Sequence, residues 1–149
     1  MNEKIGIVVS KFNEEITSRL AKGAKNALLQ KGLKPENIIE VEVPGSFELP
    51  LAAKFLIEDQ KVQGVVALGV VIKGDTDHYE YICSATSAGL MDLQLFHSIP
   101  IGFGVLTCHT EEQAMARAGG SEGNKGADAA ETVLQMMGLK VRLSGEQGK

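Results

Sequence analysis

Six consecutive residues, Lys73, Gly74, Asp75, Thr76, Asp77 and His78, bring an imidazole, two carboxylates, a hydroxyl and an ammonium group together. A histidine titrates near neutral pH and can both accept and return a proton, so His78 is the candidate acid/base group. Glu48, set between Phe47 and Leu49, fits two roles equally well: a ligand-binding carboxylate or a first-turn carboxylate favoured by a helix dipole. Arg117 and Lys125, each unremarkable alone, bracket a glycine-rich turn, GGSEGNKG. Together they could clamp an anion, Arg in bidentate geometry and Lys as a point charge. Phe12 and Phe103 are candidates for either core packing or stacking in a chain poor in aromatics. Proton transfer and anion binding are thus the chemistry on offer. Metal binding is not, because His78, His97 and His109 have no partner at ligand spacing. Cys83 and Cys108 have no adjacent base and read as structural.

The elements that must position these groups follow from periodicity. The run Val65–Ile72 is apolar and rich in β-branched residues, which predicts a strand buried on both faces with the polar cluster at its exit. Ile5–Val9 predicts a short buried strand leaving through Ser10, Lys11, Phe12 and Asn13. Asn13 is the expected N-cap of a helix with Ile16, Leu20, Ala24, Ala27 and Leu28 on its apolar face, closed by Gly32 at C′. Ile39, Val41 and Val43 alternate with Glu40 and Glu42, as in a half-exposed edge strand. Its exit, Pro44–Pro50, leads to a helix with Pro50 in its first turn and Leu51, Phe55 and Leu56 facing inward.

A long helix from Tyr79 to His97 carries Ile82, Ala85, Gly89, Leu93 and Phe96 on one side. Its small residues suggest close packing against another element or subunit. Residues 100–107 predict a fourth strand. Thr110–Gln113 is a capping box opening a short helix that ends at Gly119-Gly120. A last helix buries Ala127, Ala130, Val133, Leu134 and Met137 and is expected to close at Gly138, leaving 140–149 as a frayed tail.

Alternating strands and helices without repeat or linker predict one domain over residues 1–149. The class is α/β: a flavodoxin-like three-layer α/β/α sandwich on a four-stranded parallel sheet with right-handed crossovers. All strand exits then open on one sheet edge, where such folds bind ligands. Phe12-Asn13, Ser46-Phe47-Glu48 and Asp75–His78 should meet there, with the end of the fourth strand. The composition, 44% hydrophobic and 23% charged, is that of a globular protein. A net charge of −4 without a basic block argues against nucleic acid. No apolar stretch suits a membrane span or signal peptide, so no membrane partner and a cytoplasmic location are expected. GFGVLT lacks the third glycine and the helix of a dinucleotide fold, and no phosphate-binding GxxxxGK[ST] loop is present.

In order and spacing, VSKFN, VPGSFELP, ALGVVIKGDTDHYEY, PIGFGVLT and QAMARAGG…GNKGADAA resemble the motifs of the 6,7-dimethyl-8-ribityllumazine synthase family, from Lys4 to about Gly138. The resemblance implies a transferase of the penultimate step of riboflavin synthesis, working without metal or cofactor on small-molecule substrates. 5-Amino-6-(D-ribitylamino)uracil condenses with 3,4-dihydroxy-2-butanone 4-phosphate to give the lumazine, phosphate and water. It further implies Phe12 as the ring stacked on the pyrimidine. Ser46, Phe47, Glu48, Val70, Val71 and Ile72 would hold the pyrimidine and ribityl chain. Asp75 and Thr76 would meet the butanone phosphate, and His78 would be the acid/base histidine. Phe103 and the phosphate-binding Arg117 would come from a neighbouring subunit, with Lys125 and Asp128 in support.

The same resemblance implies a homopentamer, with a shell of twelve pentamers left open, and riboflavin synthase as a candidate partner. With the first core strand expected at Ile5, the resemblance implies no leader of the kind that in many shell-forming members adds a strand to a neighbour, and GGSEGNKG carries no insertion of the kind that blocks shell contacts. Two alternatives stand: a paralogous riboflavin synthase that dismutates two lumazines, or a non-catalytic flavin- or lumazine-binding shell protein.

Overall fold

A computed structural model of the protein describes residues 2–145. Strands β1 (Ile5–Ser10), β2 (Ile38–Val43), β3 (Gly64–Ile72) and β4 (Ile101–Cys108) form one parallel sheet in the order β2-β1-β3-β4. Between and after them lie α1 (Glu14–Gln30), α2 (Leu49–Glu58), α3 (His78–His97), α4 (Glu111–Ala116) and α5 (Lys125–Leu143). The result is the expected flavodoxin-like α/β sandwich. Strand periodicity divides its core: Val66, Leu68 and Val70 of β3 pack with residues of α1 and α5, while Val65, Ala67 and Val71 face α2 and α3. Each fully buried aliphatic side chain is worth about 1.5–3 kcal/mol. An exposed ion pair such as Lys25–Glu40, at 2.9 Å, contributes roughly 0.2–1 kcal/mol. The layers are therefore held by apolar burial.

Local signals end several elements where the sequence places them. Gly32, at φ 101°, lets its own N–H reach Leu29 O and that of Leu33 reach Leu28 O, closing α1 in a Schellman turn. Pro50 sits in the first turn of α2. Thr110 and Gln113 form the reciprocal capping box of α4. Strand β2 is a half-exposed edge, as its alternation predicts.

Other expectations need correction. Asn13 precedes α1 but does not cap it with its side chain; it adopts a left-handed conformation (φ 62°), and its carbonyl accepts from Ile16 and Thr17. The inward face of α2 is Leu49, Ala52, Ala53, Leu56 and Ile57, whereas Leu51 and Phe55 are more than half exposed. The apolar side expected of α3 is not buried within the chain: only Thr86 and Leu90 are fully buried, Ala85 is exposed and Phe96 is 83% exposed, which leaves the expected packing against another element or subunit open. Gly138 does not end α5, which continues through residues 139–143. The tail is thus helical to Leu143, and 146–149 lie outside the described residues. Helix α4 stops at Ala116, and the glycine-rich turn is a small antiparallel hairpin of β5 (Ala118–Gly120) and β6 (Gly123–Asn124). Positive φ at Gly119 and Gly123 makes that hairpin possible.

Candidate active site

Parallel strands bring their C-terminal ends to one edge, and a cavity of about 450 Å³ opens there. Phe12 enters it from the exit of β1, Gly45–Glu48 from the exit of β2, Val70–Ile72 from β3, and His78 and Ile82 from α3. The convergence expected of the first three strand exits is present, but the fourth exit does not reach the cavity wall. Gly45 and Ile82 complete the lining without having been singled out for it. Ile82 carried only the signal of an apolar helix face, and Gly45 none beyond its turn.

Each wall has a local cause. The Ser10 hydroxyl, fully buried, accepts the Phe12 N–H at 3.2 Å and turns the chain out of the sheet. Phe12 and Phe47 remain 66% and 60% exposed, so both present free ring faces instead of filling the core. The three residues Ser46–Glu48 form a single 3-10 turn leading directly into α2. Beyond Ile72, the Lys73 N–H still pairs with Cys108 O at 2.9 Å; the chain then leaves the sheet. Thr76 Oγ1 accepts the N–H of His78 at 3.3 Å, setting the entry into α3.

A second tie closes that loop. Lys73 Nζ lies 2.7 Å from Glu80 Oε1 and 5.4 Å from the centre of the Tyr79 ring. The Glu80 partner raises the Lys73 ammonium above its ordinary pKa, and Lys73 holds Glu80 below the usual carboxylate range. Burial pushes the Tyr79 phenol upward. It does the same to the thiols of Cys83 and Cys108, which keeps them protonated and unreactive.

The remaining candidates stand apart from the cavity. Asp75 and Thr76 are exposed in the loop between β3 and α3, beside its wall and not in it. Phe103 is the third residue of β4, mid-strand and not at an exit, and sits on the outer edge of the sheet. Arg117 caps α4, its Nη1 donating to Gln113 O at 2.9 Å. The Lys125 N–H donates to Arg117 O at 2.8 Å, so these two residues do meet at the base of the β5–β6 hairpin. Asp128 is exposed in the first turn of α5. Among the described residues, the cavity wall includes a carboxylate, an imidazole and two aromatic rings but neither Lys nor Arg. A larger groove, about 570 Å³, runs between β2 and α2, but apart from the shared Glu48 it contains none of the candidate residues.

The arrangement suits an uncharged planar ligand against the aromatic rings, with proton transfer at one end. Comparison with known proteins agrees with the motifs. The model of the 6,7-dimethyl-8-ribityllumazine synthase family matches residues 2–141. The chain belongs to that family. Among its relatives, a 6,7-dimethyl-8-ribityllumazine synthase of Levilactobacillus brevis is 47% identical over 95% of this chain and 90% of its own length. One from Campylobacter jejuni is 46% identical over 95% of this chain and 92% of the relative. One from Bdellovibrio bacteriovorus is 48% identical over 91% and 74%. The lumazine synthase match therefore takes in all four sheet strands, every wall of the cavity, and the Arg117–Lys125 hairpin.

Proposed function

We propose that this chain catalyses the condensation of 5-amino-6-(D-ribitylamino)uracil with 3,4-dihydroxy-2-butanone 4-phosphate to 6,7-dimethyl-8-ribityllumazine, and that its strand-exit cavity is the pyrimidine half of a site completed by a second copy. The absence of Lys and Arg from the described cavity wall carries the second part. A phosphorylated substrate needs a cation, and the candidate for it, Arg117, lies beyond β4 on the sheet's other edge. An Arg117 and a Phe103 presented by a neighbour supply what the wall lacks.

In this reading Phe12 stacks on the pyrimidine, while Ser46, Phe47, Glu48 and Val70–Ile72 hold the ring and its ribityl chain. Asp75 and Thr76 meet the second substrate as it enters beside His78. The arylamine nitrogen adds to the ketone carbon, losing a proton as the oxygen gains one; His78 can shuttle both. Phosphate then leaves by elimination, and the guanidinium of Arg117 stabilises both the bound dianion and the departing group, with Lys125 and Asp128 supporting the hairpin that presents it. Much of the acceleration comes from holding two reactants in contact, since effective molarities can reach ~10⁵ M or more.

Two features support a homo-oligomer, for which we take the pentamer. Helix α3 leaves Tyr81, Leu95 and Phe96 each more than 70% exposed along a helix with only two fully buried residues. Phe103 and Arg117 likewise lie outside the lining of their own cavity. A single 149-residue lumazine-synthase-like domain, a cytoplasmic location and association with riboflavin synthase go with this reading. Among the described residues no helix is long and apolar enough to cross a membrane. Mixing the two precursors with the purified protein tests the activity: lumazine fluorescence and free phosphate should rise together. Conversion of lumazine alone into riboflavin would favour the paralogous synthase, and ligand binding without phosphate release the shell protein.

A further inference from the structure

We infer that Thr86, buried in the middle of α3 and outside the cavity lining, is a positioning residue for the pyrimidine side of the site. This inference rests on the reading of the cavity given above. A serine or threonine inside a helix commonly turns its hydroxyl back to the carbonyl one turn earlier. Ser87 does so, donating to Cys83 O at 2.7 Å. Thr86, one residue before it and 1% exposed, instead reaches 40 positions back in sequence and donates to the carbonyl of Ser46 at 3.2 Å.

That carbonyl belongs to the turn that forms one wall of the cavity. Its peptide plane is shared with the N–H of Phe47, so fixing the carbonyl fixes the plane from which the Phe47 ring departs. Nearby contacts show how closely the turn is held. A Cβ on Gly69 of β3 would lie 2.5 Å from Ser46 Oγ, and one on Gly89, one turn beyond Thr86, would lie 2.9 Å from Pro50 Cγ. Small residues thus let β3 approach the turn and α3 approach the start of α2 that follows it, and Thr86 adds the directional bond to the turn itself. Because the Ser46 carbonyl also accepts the Leu49 N–H, loss of the threonine hydroxyl would not leave it unpaired. The consequence should appear in substrate positioning more than in folding.

The test compares Thr86→Val, which keeps the shape, with Thr86→Ser, which keeps the hydroxyl, and with Glu48→Gln as a control on the cavity wall, all in the full-length protein. The loss of one hydrogen bond predicts that Thr86→Val raises KM for the ribitylaminouracil roughly three- to tenfold. KM for the butanone phosphate should stay within about twofold, and Thr86→Ser should return the first value to within about twofold of the parent. Thr86→Ala repeats the measurement if Thr86→Val does not fold. An unchanged pyrimidine KM in Thr86→Val, alongside a raised one in Glu48→Gln, would overturn the positioning role while leaving the cavity assignment intact. Equal losses for both substrates without rescue by serine would reduce Thr86 to ordinary packing. If neither Thr86→Val nor Glu48→Gln moves the pyrimidine KM, the cavity assignment fails and the inference falls with it.

Discussion

Ser46 lies against the backbone of Gly69 so closely that a methyl group on that glycine would stand 2.5 Å from Ser46 Oγ. The single glycine in the apolar run of β3 is thus where the exit of β2 is allowed to approach the sheet, and the cavity owes one wall to it. Among the described residues Ser46 Oγ is buried without a hydrogen-bond partner, a cost that a ligand reaching into the cavity could relieve.

Gly69→Ala should therefore damage the site and the fold together. The added carbon also meets Leu49 Cδ1 at 3.3 Å, so the turn must move. Overpacking of this kind costs about 1–3 kcal/mol, measurable by urea unfolding. The pyrimidine KM should rise as well, whereas an equally destabilising core change away from the cavity, such as Leu28→Ala, should leave it near the parent value.

His78 and Arg117 should separate in steady-state kinetics. His78→Ala should lower kcat by roughly a hundredfold, the low end of acid/base contributions, and leave measurable turnover. Arg117→Ala should chiefly raise KM for the butanone phosphate. A charge-assisted hydrogen bond worth about 1.5–3 kcal/mol corresponds to roughly ten- to 150-fold. Unchanged saturation by that substrate in Arg117→Ala would remove the phosphate clamp.

The capping box offers a quieter handle on the same residue. Helix α4 has only six residues, and Arg117 is its C-cap. Thr110→Ala removes the bond to the Gln113 N–H and should cost about 1 kcal/mol of stability. By loosening α4 it should also weaken use of the butanone phosphate, less than Arg117→Ala does. Thermal unfolding with parallel kinetics would measure both.

The Lys73–Glu80 pair gives a pH dependence of known sign. Glu80 has a depressed folded pKa, so its contribution is full above the unfolded carboxylate value and is lost as pH falls through the folded one. Lys73 has a raised folded pKa; its contribution is full below the unfolded ammonium value and is lost as pH rises through the folded one. The tie therefore operates between those limits. Both groups are exposed, so salt should weaken it. Glu80→Gln should flatten the acid side of the Tm-versus-pH curve slightly, a difference that scanning calorimetry at low ionic strength would reveal.

The residues that were legible in the sequence are those whose role is set locally. The β-branched run of β3, the Pro50 start of α2, the Gly32 stop and the Thr110 capping box each act within a few residues of chain. The placement of Phe12, Ser46–Glu48 and His78 is legible for a topological reason instead: parallel strands must exit on one edge. Leu51 and Phe55 differ from expectation for a different reason. Periodicity reports that a helix has apolar positions, not which of two apolar faces meets its own sheet. In α3 the outward face carries Tyr81, Met91, Leu95 and Phe96, each at least half exposed, as expected of a helix that meets a neighbour. Thr86 was invisible because its partner lies 40 residues away. The β5–β6 hairpin was missed because strands of three and two residues leave no alternation to read.

The central claim is that each site is built from two subunits. His78→Ala and Arg117→Ala proteins can be dissociated, mixed in equal amounts and reassembled, then assayed at butanone phosphate concentrations where both variants are slow. Random mixing places an intact His78 opposite a neighbour's intact Arg117 at about one site in four, so activity should exceed the mean of the two parents. Activity equal to that mean would place both residues in one subunit's site and contradict the account.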